Sequence, residues 1–163
     1  MVKHIHAIVA DDFAALNHKV VGELHSQVPL IEDIGHYIIE AGGKRMRPTL
    51  VLLCARALGY QGSQHVDLAS VIEFLHTATL LHDDVVDESS LRRARQTANA
   101  IFGNAASVLV GDFLYSRAFQ MMVELQSLPV MAVLVALALL LIIILVQLML
   151  FRVINAVVTL RIV

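Results

Sequence analysis

Apolar residues recurring every three or four positions constrain this chain more than any other feature. Between Asp11 and Glu40 they fall at Phe13, Leu16, Val20 and Leu24, then at Leu30, Ile31, Ile34 and Ile38. At that spacing side chains share one face of an α-helix and can be buried together. Pro29 divides the stretch into two helices. Gly42 and Gly43 end the second, and Pro48 suits the first turn of a third, which runs through residues 49–58 and stops at Gly59. A fourth helix is predicted over residues 66–86, a fifth opening near Thr97 and a sixth including 107–125, after which Pro129 breaks the pattern. Alternating runs bounded by Asn-Gly or Asp-Gly turns are absent, so the pattern reads as all-α.

The chain is made of two materials. All fourteen acidic residues lie at or before Glu124, and the only charges in 125–163 are Arg152 and Arg161. Residues 130–146 are seventeen consecutive apolar residues, followed after Gln147 by four more. We therefore divide the chain into 1–129 and a strongly apolar tail, 130–163. A helix apolar on every side is either a central buried helix or one associated with a membrane, and the pattern alone does not separate the two.

A net charge of −2 and the lack of any C-x-x-C or finger spacing exclude broad affinity for nucleic acid. The lone cysteine, Cys54, lies within an apolar run and is expected to be a reduced, packed thiol. Residues 1–20 contain His4, His6, Asp11 and Asp12 and lack a secretory pattern, so a cytoplasmic location is expected.

The chemistry concentrates at Leu80-Leu81-His82-Asp83-Asp84-Val85-Val86-Asp87. At about 100° per residue, His76, Asp83 and Asp87 lie within about 20° of one line along a helix, and Asp84 sits one step to the side. Like charges so close repel, and acid at a helix C-terminus opposes the macrodipole. Hard divalent cations, held by one or two carboxylates with water and phosphate oxygen completing the shell, account for such a cluster better than solvation does. His82 points off the stripe and is assigned to packing beside it.

Two basic groups accompany the acids. Lys44, Arg45 and Arg47 follow two glycines that allow a sharp turn, and Arg92 and Arg93 come just after the acidic helix end. Forked guanidinium groups suit phosphate oxygens. Together the acids and bases make a constellation for diphosphates.

Those residues, in "GGKRMRP", "FLHTATLLHDDVVDESSLRR" and "TANAIFGNAASVLVGDFLYSRAFQMM", closely resemble trans-polyprenyl diphosphate synthases, particularly the bacterial octaprenyl type that makes quinone side chains. The resemblance covers residues 5–131. It implies an all-α isoprenoid synthase bundle, usually homodimeric, that uses Mg2+ to condense isopentenyl diphosphate with an allylic diphosphate such as farnesyl diphosphate. By resemblance, Asp83, Asp84 and Asp87 form the first aspartate-rich motif, with Asp83 and Asp87 the direct magnesium ligands. Lys44, Arg47, His76 and Arg93 match positions that hold isopentenyl diphosphate, Arg92 matches one that contacts the allylic diphosphate, and Arg45 supports them. Ala78, five before Asp83, resembles the pattern of longer-chain synthases.

The sequence departs from the family in three ways. No second D-D-x-x-D is present, Ala94 replaces the usual glycine after the paired arginines, and "VQLML" at 146–150 echoes a family helix whose preceding polar residues are replaced by "LLLIIIL". That echo favours a core helix for the tail. The bundle is thus expected to be incomplete, and the 163 residues are not expected to turn over alone. A non-catalytic subunit or a membrane-associated fragment that binds diphosphate is the alternative; terpene cyclases and metal phosphohydrolases fit the basic loop and the downstream residues less well.

Overall fold

The computed structural model describes residues 7–40, 43, 45–140, 143 and 147. Lys44 and most of 141–163 lie outside the described residues, so the placement of Lys44 and the environment of the far tail do too. Among the described residues of the first unit the helices are α1 (Ala10–Gly22), α2 (Pro29–Glu40), α3 (Met46–Ala57), α4 (Gln64–Val86), α5 (Ala98–Phe102) and α6 (Asn104–Glu124). These helices build the all-α bundle expected from the sequence. The chain divides into units Met1–Gln126 and Ser127–Val163; within the second, residues 128–140 are helical. Among the described residues no helix is long and apolar enough to cross a membrane.

α4 is the axis of the first unit. It packs most extensively on α6, and then on α3 and α1. Phe74, Leu75, Ala78 and Leu81 of α4 are buried, as are Val110, Leu114, Ala118 and Met121 of α6 and Leu16 and Val20 of α1. A fully buried side chain such as Phe74 stabilises the fold enough that truncation to Ala costs about 3–5 kcal/mol. Polar contacts then fix how α1 lies on its neighbours. Arg56 Nε of α3 donates to Asp12 at 2.6 Å, and Lys19 pairs with Asp67 of α4 at 3.0 Å. The Arg56 hydrogen bond is the main cause holding the Asp12 carboxyl below the ordinary aspartate range.

Two helix ends close by the same device. After α3, the Tyr60 N–H reaches the Ala55 carbonyl at 2.9 Å and the Gly59 N–H that of Arg56 at 3.0 Å, with Gly59 at φ +74°. After α4, the Ser89 N–H reaches the Asp84 carbonyl at 2.9 Å and the Glu88 N–H that of Val85 at 3.2 Å, with Glu88 at φ +51°. Both are Schellman turns, which satisfy the last carbonyls through one left-handed residue. The aspartate helix therefore ends abruptly at Asp87 and the chain turns back toward it.

Two expectations are corrected. The sequence suggested no strands, yet Leu91–Arg92 (β1) and Arg95–Gln96 (β2) pair antiparallel. The loop joining them has Arg93 at φ +54° and Ala94 at φ +62°, the signature of a type I′ turn, here without the usual Asn-Gly. Cys54 was expected to be packed and is exposed. The buried positions of α3 are Pro48, Thr49 and Leu52, and Cys54 lies about 200° round the helix from Leu52. An apolar run with no polar face gave no sign of which side would be covered.

Candidate active site

The start of α3 and the middle of α4 enclose a cleft of about 640 Å³, lined among others by Gly43, Arg45, Arg47, Glu73, His76 and Arg93. The residue before α3 supplies Arg45, the first turn of α3 Arg47 and the hairpin Arg93, while α4 contributes Glu73 and His76. Of the predicted diphosphate residues, Arg45, Arg47, His76 and Arg93 meet there.

His76 is the neutral member of this group. Burial, followed by the fields of Arg47, Arg93 and Arg92, brings its ring pKa down from 6.5 to about 4. Arg47 Nη1 lies 3.0 Å from His76 Nε2. A guanidinium only donates, so Nε2 accepts and the ring proton belongs on Nδ1. His76 thus orients Arg47 without adding charge of its own.

Gly43 does something other than the sharp turn the sequence suggested for the glycine pair. Gly42 lies outside the described residues, and Gly43 is not in the left-handed region; among the described residues of this loop, Arg45 has positive φ, at +42°. A Cβ on Gly43 would lie 2.6 Å from Arg93 Nη1. Gly43 is small so that the Arg93 guanidinium can lie against the loop.

The acidic end is organised differently. Asp84 is buried, and Arg92 grips it with Nε at 2.9 Å and Nη2 at 2.7 Å from Oδ1. Its backbone carbonyl also accepts from Asn99 Nδ2 at 3.2 Å. Asp84 therefore faces the hairpin, while Asp83 is half-buried and Asp87 exposed. Burial, and then the neighbouring Asp87, push the Asp83 carboxyl above its ordinary range. That is the electrostatic condition a divalent cation relieves. Among the described residues no three His, Cys, Asp or Glu side chains come together as a metal cage, so Asp83 and Asp87 would need oxygen ligands from solvent and phosphate. His82 lies off this face, with Nε2 3.2 Å from Asp112 of α6 and packed where a Cβ on Gly111 would otherwise sit.

The hairpin that presents Arg92 and Arg93 is held by α2. Tyr37 donates its hydroxyl to the Gln96 carbonyl at 2.7 Å, and the Arg95 guanidinium carbon lies 3.9 Å over the Tyr37 ring. Sequence reasoning passed over Tyr37, and also Glu73, a carboxylate inside the cationic cleft. Glu73 could have been found by its place three before His76 on the same helix face; nothing in the sequence marks Tyr37.

Comparison with known proteins places this geometry. The chain is 57% identical over 133 residues to octaprenyl diphosphate synthase of Escherichia coli K12, a match covering 82% of this chain and 41% of that protein. It is 52% identical over 123 residues to a Rhodobacter capsulatus all-trans-nonaprenyl-diphosphate synthase (geranyl-diphosphate specific), covering 75% of this chain and 38% of the relative. Among solved structures, a decaprenyl diphosphate synthase from Rhodobacter capsulatus superposes with a TM-score of 0.82 at 47% identity, covering 85% of this chain and 43% of that one. A Caulobacter crescentus polyprenyl synthase, complexed with calcium and isoprenyl diphosphate, gives 0.82 at 42% identity, covering 85% and 42%. The chain thus spans about two-fifths of the length of the relatives it matches. The polyprenyl synthetase family model matches residues 28–149, and with the helices, cleft and hairpin described above, the chain belongs to that family.

Proposed function

We propose that this chain serves a trans-prenyltransferase that condenses isopentenyl diphosphate with an allylic diphosphate, such as farnesyl diphosphate, to give a long-chain polyprenyl diphosphate of the kind that becomes a quinone side chain. The observation that carries the reading is the cleft in which Arg45, Arg47 and Arg93 surround a neutral His76, on the same helix as Asp83. The relatives' names, octaprenyl, nonaprenyl and decaprenyl diphosphate synthases, support the substrate class and the long product.

In this reading Arg47, Arg93 and the loop lysine Lys44 hold isopentenyl diphosphate by charge-assisted hydrogen bonds, with His76 fixing Arg47. Asp83 and Asp87 hold Mg2+, Asp84 fixes Arg92, and Arg92 approaches the allylic diphosphate. Bound Mg2+ supplies neutralisation of the charge that builds on the departing diphosphate. The allylic carbon–oxygen bond breaks, the isopentenyl double bond forms the new carbon–carbon bond, and a proton passes to the released pyrophosphate. No side-chain nucleophile is needed. A homodimer and a cytoplasmic setting belong to the same proposal, and the exposed Leu109 and Val123 of α6 offer apolar surface to a second copy.

Mg2+-dependent consumption of isopentenyl diphosphate with farnesyl diphosphate, lost in Asp83→Ala, tests it. A second reading, diphosphate binding without turnover, is favoured by Asp84 being taken up by Arg92 and by the span of the match. Binding that persists with no consumption under any metal would select it.

A further inference from the structure

Glu73 places a carboxylate where anions are to bind, and its side chain is only 14% exposed. Burial pushes its carboxyl above the ordinary range, although Arg45, Arg47 and Arg93 act the other way. A residue that costs burial energy and opposes the ligand's charge calls for another role, and its neighbours indicate one.

Arg45 is the partner. Its Nε lies 3.9 Å from Glu73 Oε1, its Nη1 donates to Asn17 Oδ1 of α1, and its side chain is likewise only 14% exposed. Its backbone is left-handed, at φ +42° and ψ +40°, and immediately precedes α3. The Arg45 carbonyl accepts the first bonds of that helix, from Thr49 N–H at 3.1 Å and Thr49 Oγ1 at 2.7 Å. Arg45 is therefore the pivot between Gly43, against which Arg93 lies, and Arg47, which His76 orients.

We propose that Glu73 is a positioning residue of the diphosphate cleft: with Asn17 it clamps the Arg45 guanidinium between α4 and α1, and so fixes Arg45 and the start of α3, with Arg47, in the arrangement that receives a diphosphate. This rests on the diphosphate reading of the cleft. Asn17 holds Arg45 by a directional hydrogen bond at Nη1 and Glu73 holds it by charge beside Nε, so the two act on different nitrogens of one guanidinium. The unfavourable field that Glu73 exerts on the ligand is the cost of an Arg45 already in place when the ligand arrives.

The sign of one substitution separates this role from plain electrostatics. Removing a negative charge from an anion site strengthens anion binding by Coulomb's law alone. Loss of the clamp weakens it. The probe is inorganic pyrophosphate, titrated calorimetrically into the full chain in EDTA, so that the aspartates contribute nothing through metal. Glu73→Gln is expected to weaken binding about tenfold, the size of one lost charge-assisted contact. In an Arg45→Ala background the same change is expected to lose this weakening and to leave only the Coulombic gain, because the residue the clamp acts through is gone. Should Glu73→Gln lose its helical circular dichroism, Asn17→Ala, which frees the same guanidinium from α1, carries the test with the same expected direction. Pyrophosphate bound equally or more tightly by a folded Glu73→Gln overturns the inference and leaves the diphosphate reading intact. No binding by the unaltered chain overturns both.

Discussion

The two ends of this site solve opposite charge problems. In the basic cleft, like charges are brought together and held in place before any ligand binds: Arg47 by a neutral His76, Arg45 by Asn17 and Glu73, Arg93 against Gly43. At the acidic end, one of three carboxylates is taken out of the problem by Arg92, and Asp83 is left half-buried and repelled by the exposed Asp87. On the proposed reading, the described part of the cleft is already arranged to receive a diphosphate, whereas the aspartates become a site only when a cation joins them. Adjacent residues of one motif, Asp83 and Asp84, serve different purposes.

The largest expected effect breaks that division. Asp84→Ala leaves Arg92 without its counter-charge and Asp84's neighbours with a void. Loss of one partner of a buried pair costs about 3–5 kcal/mol, and Arg92 is partly exposed, so about 3 kcal/mol is expected by denaturant unfolding. Asp83→Asn, one residue away, should leave stability nearly unchanged while abolishing Mg2+-dependent effects. Equal destabilisation by the two would remove the distinction.

Next in size, Arg47→Ala should weaken metal-free pyrophosphate binding by about 2 kcal/mol, roughly 30-fold, the value of a charge-assisted hydrogen bond to phosphate. Asp87→Ala should not alter it in EDTA.

A smaller effect concerns pH. His76 has a folded pKa of about 4 against an ordinary 6.5, so the unfolded chain takes up the proton first as pH falls. Stability contributed by the neutral ring is full above pH 6.5 and is lost progressively as pH drops toward 4. Asp83 acts in the opposite sense: its raised pKa favours the folded state at low pH and is a burden as pH rises through it. Urea unfolding of His76→Asn across pH 4–6.5 should show a flatter profile than the unaltered chain.

The smallest effect belongs to the hairpin. Ala94 holds φ +62° in a turn that favours glycine, so Ala94→Gly should stabilise by up to about 1 kcal/mol by relieving the left-handed Ala. A destabilised variant would show that Tyr37 and Arg95 already offset the turn.

Much of this was legible in the sequence because helices announce themselves. The three-and-four spacing gave α1 and α2, with Pro29 opening the second, and the stripe from His76 to Asp87 gave one face of α4. The constellation of Arg45, Arg47, His76 and Arg93 could be assembled because each residue carries chemistry in its type. What sequence did not disclose was direction. Asp84 differs from Asp83 by one step of rotation, and only the hairpin's position shows that this step leads to Arg92. Cys54 lay in a run with no polar face to orient it. The strand pair escaped notice because its turn is Arg-Ala, and its stability comes from Tyr37, more than fifty residues earlier. Glu73 was in plain view but reads as an unremarkable helix acid until the guanidinium groups around it are placed.

Pyrophosphate titration of the unaltered chain, first in EDTA and then with Mg2+, reaches the central claim most directly. One binding site is expected without metal, sensitive to Arg47→Ala, and a second is expected to appear with Mg2+ and to vanish in Asp83→Ala. Binding that requires Mg2+ from the outset, or a metal-free site indifferent to Arg47, would contradict the account.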